Sequence, residues 1–103
     1  MIHPSGLVFL SGQTASGTNA SSIDEQTQEV LRRIDAFLVE AGSDKEGILS
    51  ATIYLREISD FGAVNQIWER WVPVGHTPAR CTVQAQLASP QLRIEISVVA
   101  TTK

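Results

Sequence analysis

At 103 residues the chain is long enough for one domain, spanning 1–103, with a single hydrophobic core. Hydrophobic residues make up 43% and charged residues 18% of the sequence, which is typical of globular proteins and argues against disorder. The formal net charge is −3, and no run of Lys or Arg occurs. Because phosphate binding draws on clustered cations, the composition disfavours nucleic acid and anionic membranes as main partners.

Cys81 is the only cysteine, so no intrachain disulfide can form, and a reducing cytoplasm is the expected location. No apolar stretch approaches membrane-spanning length, and residues 1–6 lack the features of a signal peptide. With two histidines and no metal-ligand spacing, we expect no metal site and no cofactor.

The first half of the chain predicts a strand, a helix and a second strand. Residues 7–10 form a continuous apolar run, which predicts a strand covered on both faces. Residues 22–25, Ser-Ile-Asp-Glu, fit the capping-box pattern and predict the start of a helix that Gly42 ends. Residues 48–56 alternate between apolar and polar, which predicts a half-buried strand.

The end of the first strand is the first candidate for binding. Ser11 offers a hydroxyl, and the bare backbone of Gly12 can approach a ligand closely. From spacing alone, a plain turn from strand to loop is the simpler explanation.

A second helix is predicted to begin at Ser59 or Asp60 and to end before Pro73. Its two tryptophans are most simply core or interface anchors, and Asn65 alone indicates only a polar surface. The apolar residues that recur at helical spacing are Phe61, Val64, Ile67, Trp68 and Trp71.

Residues 76–100 predict a β-hairpin with its turn centred at 89–90. In this interpretation Cys81 faces the core as a small buried hydrophobe, whereas Arg80 and Glu95 lie on the opposite, polar face. A solvated strand face usually explains such charges. The two residues would lie roughly 10 to 13 Å apart along the ribbon, too far for one small ligand to touch both.

The predicted fold is therefore α+β, with two helices packed on one face of a mixed sheet. The uncovered face is mixed in polarity, which suits burial against other subunits in a closed ring. It is predicted to carry Thr52, Tyr54, Arg80, Thr82, Gln84, Arg93, Glu95, Ser97 and Val99.

Four short motifs stand out along the chain: Ser11-Gly12-Gln13, Phe61-Gly62-Ala63-Val64-Asn65, Thr77-Pro78-Ala79-Arg80 and Arg93-Ile94-Glu95-Ile96. In this order they resemble the pattern of the RidA family, also called YjgF/YER057c/UK114. Each motif alone is weak, but the ordered set is specific, and the resemblance covers essentially the whole chain.

The resemblance implies a chorismate-mutase-like fold assembled as a homotrimer, with sites in the clefts between subunits. It also implies hydrolysis of reactive imines or enamines, such as 2-iminopropanoate and 2-iminobutanoate, to the 2-keto acid and ammonia. Arg80 would clamp the substrate carboxylate, and Glu95 of a neighbouring subunit would position the attacking water. The residues implied to line the pocket are Ser11, Gly12, Asn65 and the backbone at Thr82.

One departure from the family concerns an aromatic ring. Members typically begin with a Gly-Pro-Tyr-like segment whose ring helps close the pocket, and the sequence starting at residues 1–3 has no counterpart. Either Tyr54 or a tryptophan supplies the ring, or the pocket is more open, or the natural chain begins earlier. The breadth of substrates is therefore left open.

Three functions compete. An imine deaminase is favoured over a non-enzymatic, small-carboxylate-binding or regulatory trimer, because a pure carboxylate binder would gain nothing from Glu95 near Arg80. A ribonuclease or translation inhibitor, after an old label attached to the family, is the weakest, since the chain is acidic and has no basic patch.

Overall fold

The computed structural model describes residues 1–103 and contains four strands and two α-helices. In chain order these are β1 (Leu7–Gln13), α1 (Ile23–Glu40), β2 (Ile48–Leu55), α2 (Phe61–Trp71), β3 (Ala79–Gln84) and β4 (Ile94–Thr101). Short 3₁₀ turns precede β2 at Lys45–Gly47 and α2 at Ile58–Asp60. The predicted α+β class is confirmed, and neither α-helix is long and apolar enough to cross a membrane.

The four strands form one mixed sheet in the order β1-β4-β2-β3. β4 is antiparallel to both of its neighbours, β1 and β2, whereas β2 and β3 are parallel. Because parallel strands need a long crossover, α2 connects β2 to β3 across one face of the sheet. Both helices contribute to one core cluster with that face.

The two ends of α1 form as the sequence predicts. The Ser22 hydroxyl accepts a hydrogen bond from the backbone N–H of Glu25, whose carboxylate accepts one from the N–H of Ser22. The bond that the Glu25 carboxylate accepts from the backbone N–H of Ser22 is the largest cause that holds the pKa of Glu25 below its usual value. Gly42 follows the helix with a φ of +80°, which residues with side chains rarely adopt.

The core forms where β2 and β4 alternate. From Ala51 to Leu55 of β2 and from Ile94 to Ala100 of β4 every second side chain is buried beneath the helices, and the residues between them are half-buried on the uncovered side, here called the open face. The side chains that face the helices are Ala51, Ile53 and Leu55 of β2 and Ile94, Ile96, Val98 and Ala100 of β4.

The hairpin predicted over residues 76–100 is wrong. β2 lies between β3 and β4, so β3 is an edge strand, and residues 85–93 pass across the end of β2. β4 buries a complete side-chain row and is paired along both of its edges, as a central strand requires. Alternation predicts a strand but does not identify its neighbour, whereas the strand–helix–strand order of 48–84 favours the parallel crossover.

β3 also faces the opposite way from the prediction. Its register places Arg80 beside the buried Ala51, so Arg80 and Thr82 point toward α2. Cys81 lies beside Thr52 and is exposed on the open face, so its predicted burial is wrong. A side-chain period of two predicts alternation, but on an edge strand it does not decide which set faces the core.

The open face therefore differs from the predicted set. Arg80, Thr82 and Gln84 are on the helix side, and Arg93 precedes β4 and forms an ion pair with Asp60. The side chains on the open face include Phe9, Thr52, Tyr54, Cys81, Val83, Glu95, Ser97 and Val99.

Candidate functional site

Arg80 lies near the start of β3, and its guanidinium packs against α2. Its Nη1 donates a hydrogen bond of 2.6 Å to Oδ1 of Asn65. The ring centres of Phe61 and Trp68 lie 5.5 and 5.8 Å from its Cζ atom, within cation–π range. Because a guanidinium has five N–H donors, four remain available to a ligand carboxylate.

A shallow pocket of about 290 Å³ opens beside this guanidinium. Its volume lies at the lower end of the range for small-molecule sites. Pro78 lies two residues before Arg80 and restricts the backbone that leads into β3. The pocket is lined by Asn65, Trp68, Glu69, Thr77, Pro78 and Arg80.

Thr82 follows Arg80 on the same face of β3. Its Oγ1 is the one buried side-chain oxygen or nitrogen in the chain that lacks a hydrogen-bond partner. Because buried polar groups are nearly always paired, the lack of a partner within the chain points to a partner outside it, which reaches this oxygen only when the atoms that cover it move. We refer to Arg80, Asn65 and Thr82 as the Arg80 group.

Two residues that help shape the Arg80 pocket escaped the sequence analysis. The sequence predicts Trp68 only as a core or interface anchor and assigns no role to Glu69. Both lie three or four residues beyond Asn65, so they share its side of α2. That helical spacing, measured from the Val-Asn motif, is the signal that could have identified them.

Ser11 and Gly12 lie inside β1, not after it. The strand continues beyond Leu10 through an irregularity in its pairing with β4, between Leu10 and Gln13. Bulges of this kind change the direction of side chains at sheet edges. The predicted strand end at residue 10 is therefore wrong, and both candidate residues are exposed at this irregularity.

Gly12 provides the space that the Glu95 side chain occupies. A Cβ atom at Gly12 would collide with Oε2 of Glu95 and would lie 2.7 Å from its Cδ. The glycine is therefore required for the position of a carboxylate, besides any direct approach to a ligand.

Glu95 is half-buried on the open face, where its cross-strand neighbour is Tyr54. None of the chain's ion pairs includes Glu95. An unpaired carboxylate beside an aromatic ring is suited to hold or deprotonate a water molecule. We refer to Ser11, Gly12 and Glu95 as the Glu95 group.

Arg33 braces the loop that follows β1. Its Nη1 and Nη2 donate hydrogen bonds of 2.7 Å to the carbonyls of Thr14 and Ser16. Its Nε donates to Glu29, which also accepts from Arg32. The bonds from Arg32 and then Arg33 lower the pKa of Glu29 to about 2, so this carboxylate is ionised at neutral pH.

The Arg80 group and the Glu95 group lie on opposite faces of the sheet, so the prediction that Arg80 and Glu95 share a face is wrong. β2 separates their strands, which places the two backbones about 10 Å apart across the sheet. The registers with Ala51 and Tyr54 add about 10 Å along the strands. A small ligand bound to one chain therefore cannot touch both side chains.

These features define a class of small α+β protein with a braced cation on one sheet face and a free carboxylate on the other. A family model described as endoribonuclease L-PSP matches residues 1–102. A crystal structure of a YjgF-family member from Neisseria meningitidis superposes with a TM-score of 0.91 at 46% identity, covering 95% of this chain and 81% of that one.

Two curated relatives extend the comparison. The RutC family protein YoaB of Escherichia coli (strain K12) is 51% identical over 76 residues, which cover 74% of this chain and 67% of the relative. Reactive Intermediate Deaminase A, chloroplastic, of Arabidopsis thaliana is 34% identical over an alignment 105 positions long, which covers 97% of this chain and 56% of the relative. The chain belongs to the RidA (YjgF/YER057c/UK114) family.

Proposed function

We propose that this protein is a hydrolytic deaminase of reactive 2-imino acids and their enamine tautomers, such as 2-iminopropanoate and 2-iminobutanoate. The observation that carries the proposal is that one chain has both a guanidinium held in place at Arg80 and, on the other sheet face, a carboxylate at Glu95 without an ion-pair partner. The name of the Arabidopsis relative, a reactive intermediate deaminase, supports the same reaction class. The proposed location is the cytoplasm, and the single Cys81, which cannot form an intrachain disulfide, supports it.

The proposed assembly is a homotrimer in which the Arg80 group of one subunit meets the Glu95 group of the next. The opposite-face arrangement supports this assembly, since one chain alone cannot present both groups to a small ligand. The open face supports it too, because Phe9 and Val83 are 40% and 42% exposed there. A closed ring would cover these side chains.

In the proposed reaction Arg80 binds the substrate carboxylate through parallel hydrogen bonds, and the other residues of both groups line the pocket. Glu95 accepts a proton from water as the water oxygen bonds to the imine carbon, and the C=N electron pair moves to nitrogen. Glu95 then returns this proton to the nitrogen, which completes the carbinolamine. As the carbinolamine hydroxyl passes its proton through Glu95 to the nitrogen, the C=O bond forms, the C–N bond breaks and ammonia leaves. One imino acid and one water thus give one 2-keto acid and one ammonia.

A second candidate function is a non-enzymatic trimer that binds a small carboxylate. It is favoured by the fact that a pocket opens beside Arg80 within one chain and that Glu95 is not among the residues that line it. The two functions differ in what they require of Glu95: the deaminase needs its carboxylate for turnover, whereas the binding protein does not.

The test is to generate 2-iminobutanoate in situ with an amino-acid dehydratase and to follow its loss with and without this protein. We expect acceleration that is nearly abolished in Arg80→Ala and that falls mainly in kcat in Glu95→Ala, because water positioning acts in the transition state. Arg70→Ala, at an exposed position of α2, is the control and should retain full activity.

No acceleration by the wild-type protein, together with binding of 2-oxobutanoate that Arg80→Ala abolishes, would instead support the carboxylate-binding trimer. Full turnover by Arg80→Ala would remove Arg80 from the site.

A further inference from the structure

Glu69, Asn65 and Arg80 are joined by a chain of side-chain hydrogen bonds, here called the relay. Oε1 of Glu69 accepts a hydrogen bond of 3.1 Å from Nδ2 of Asn65, and Oδ1 of Asn65 accepts the 2.6 Å bond from Arg80. We infer that Glu69 is a positioning residue, which fixes the orientation of the Asn65 amide and through it the Arg80 guanidinium. The inference deepens the proposed function and rests on Arg80 being the carboxylate clamp.

Only one orientation of the Asn65 amide satisfies both of its neighbours, because Glu69 and Arg80 differ in hydrogen-bonding chemistry. A carboxylate only accepts hydrogen bonds and a guanidinium only donates them, whereas an amide has an accepting end and a donating end. With its Nδ2 held by Glu69, Asn65 turns its Oδ1 toward Arg80. If the amide were flipped, its NH₂ group would face the guanidinium, and two donors would oppose each other.

The position of Glu69 on α2 makes this contact possible. Asn65 and Glu69 are four residues apart on the helix, a spacing at which side chains are neighbours. Asn65 is half-buried between Glu69 and β3, whereas Glu69 is exposed at the rim of the pocket beside Arg80.

The aromatic contacts alone do not determine the orientation of the guanidinium. The rings of Phe61 and Trp68 hold the Cζ atom of Arg80 at 5.5 and 5.8 Å, which fixes where the group lies. Its only side-chain hydrogen bond within the chain goes to Asn65. A bidentate grip on a carboxylate needs two N–H groups aligned in parallel, so a loss of orientation weakens binding.

Replacements at position 69 separate the hydrogen bond from the charge. Glu69→Gln keeps an acceptor for Asn65 but removes the negative charge at the rim of the pocket, whereas Glu69→Ala removes both. If the relay is the role of Glu69, the glutamine variant should rescue the function. If the charge were the role, the two variants would behave alike.

The kinetic experiment measures imine hydrolysis by the wild type, Glu69→Ala and Glu69→Gln, with Gln66→Ala as the control at an exposed position of the same helix. We expect Glu69→Ala to raise KM about fivefold, the value of one ordinary hydrogen bond, with kcat little changed. Glu69→Gln and Gln66→Ala should keep the wild-type KM. A wild-type KM in Glu69→Ala, or equal KM increases in both Glu69 variants, would overturn the inference.

A second readout does not depend on turnover. The side-chain N–H signals of Arg80, assigned with Arg80→Lys, are recorded by NMR without ligand. In the wild type and Glu69→Gln we expect restricted rotation about the Nε–Cζ bond, and in Glu69→Ala faster rotation. If the wild type hydrolyses no imine but these signals change as expected, the proposed function fails and the relay stands. Identical Arg80 signals in all three proteins would contradict the relay even in an active enzyme.

Discussion

The charged side chains of the Arg80 group and the Glu95 group are held in place in opposite ways. Arg80 is held by a hydrogen bond, by two aromatic rings and, through Asn65, by Glu69. Glu95 has no ion-pair partner and occupies space that the missing side chain of Gly12 leaves. The Arg80 guanidinium is positioned by direct contacts, whereas the Glu95 carboxylate is positioned by the space left where Gly12 has no side chain.

This difference agrees with the roles proposed for the two charges. A group that binds a carboxylate gains from being oriented in advance, because less freedom is lost when the ligand arrives. A general base has to keep its carboxylate oxygens free to accept a proton from water, and no cation of its own chain forms an ion pair with Glu95. One face of the sheet is therefore suited to binding, and the other to proton transfer.

The largest expected effect comes from placing the substitutions of Arg80 and Glu95 in different subunits of one trimer. We expect Arg80→Ala and Glu95→Ala each to be nearly inactive alone. When equal amounts are unfolded together and refolded, about a quarter of the sites between subunits would combine an intact Arg80 with an intact Glu95. Imine hydrolysis should therefore recover to about a quarter of the wild-type rate.

Arg80→Ala refolded with the double variant Arg80→Ala/Glu95→Ala is the matched control. That mixture contains no intact Arg80 and should remain inactive. Failure of the first mixture to recover activity, when size measurements show mixed trimers, would contradict a site in which Arg80 and Glu95 come from different subunits.

The second prediction concerns Gly12→Ala, which fills the space that the end of the Glu95 side chain occupies. In Gly12→Ala the new methyl group displaces the end of the Glu95 side chain, which is flexible, and Gly12 has no positive φ that would forbid alanine. We expect kcat to fall about 100-fold, as a displacement of 1 Å can cost that much. Thermal unfolding should show that the fold is retained.

Gly62→Ala is the control, because a Cβ atom there has no neighbour within 4 Å. It should keep full activity. Combining Gly12→Ala with Glu95→Ala should be no worse than Glu95→Ala alone, since both changes remove the same group. A wild-type kcat in Gly12→Ala would show that the position of Glu95 is unimportant.

Local signals explain how much of the fold was predictable. The capping box at Ser22 and the alternation of β2 depend on neighbours in sequence, and the structure confirms both. The hairpin depended on which strands pair, and alternation contains no such information. An apparent turn at 89–90 was therefore mistaken for a direct connection between paired strands.

The candidate site was predictable in composition but not in arrangement. The motifs identified Arg80 and Glu95, yet their faces depend on strand registers that only the assembled sheet determines. In the predicted hairpin the two residues are separated only by a distance along the ribbon, and that hairpin does not form. The structure separates them by an intervening strand and by opposite faces.

The smallest expected effect concerns Thr82, whose buried hydroxyl has no partner within the chain. Thr82→Val replaces that hydroxyl with a methyl group of similar shape. Because an unsatisfied buried polar group is costly, we expect the free energy of unfolding, measured in urea without substrate, to rise by about 1 kcal/mol.

The same substitution shows what the hydroxyl pairs with. If the substrate is its partner, KM rises while stability increases, and Thr82→Ser, which keeps a hydroxyl, retains the wild-type KM. If a neighbouring subunit is its partner, Thr82→Val instead lowers the stability of the assembled protein. The first outcome would give the Arg80 group two polar contacts with substrate, at Arg80 and Thr82, whereas the second would make Thr82 part of the interface that joins this group to Glu95.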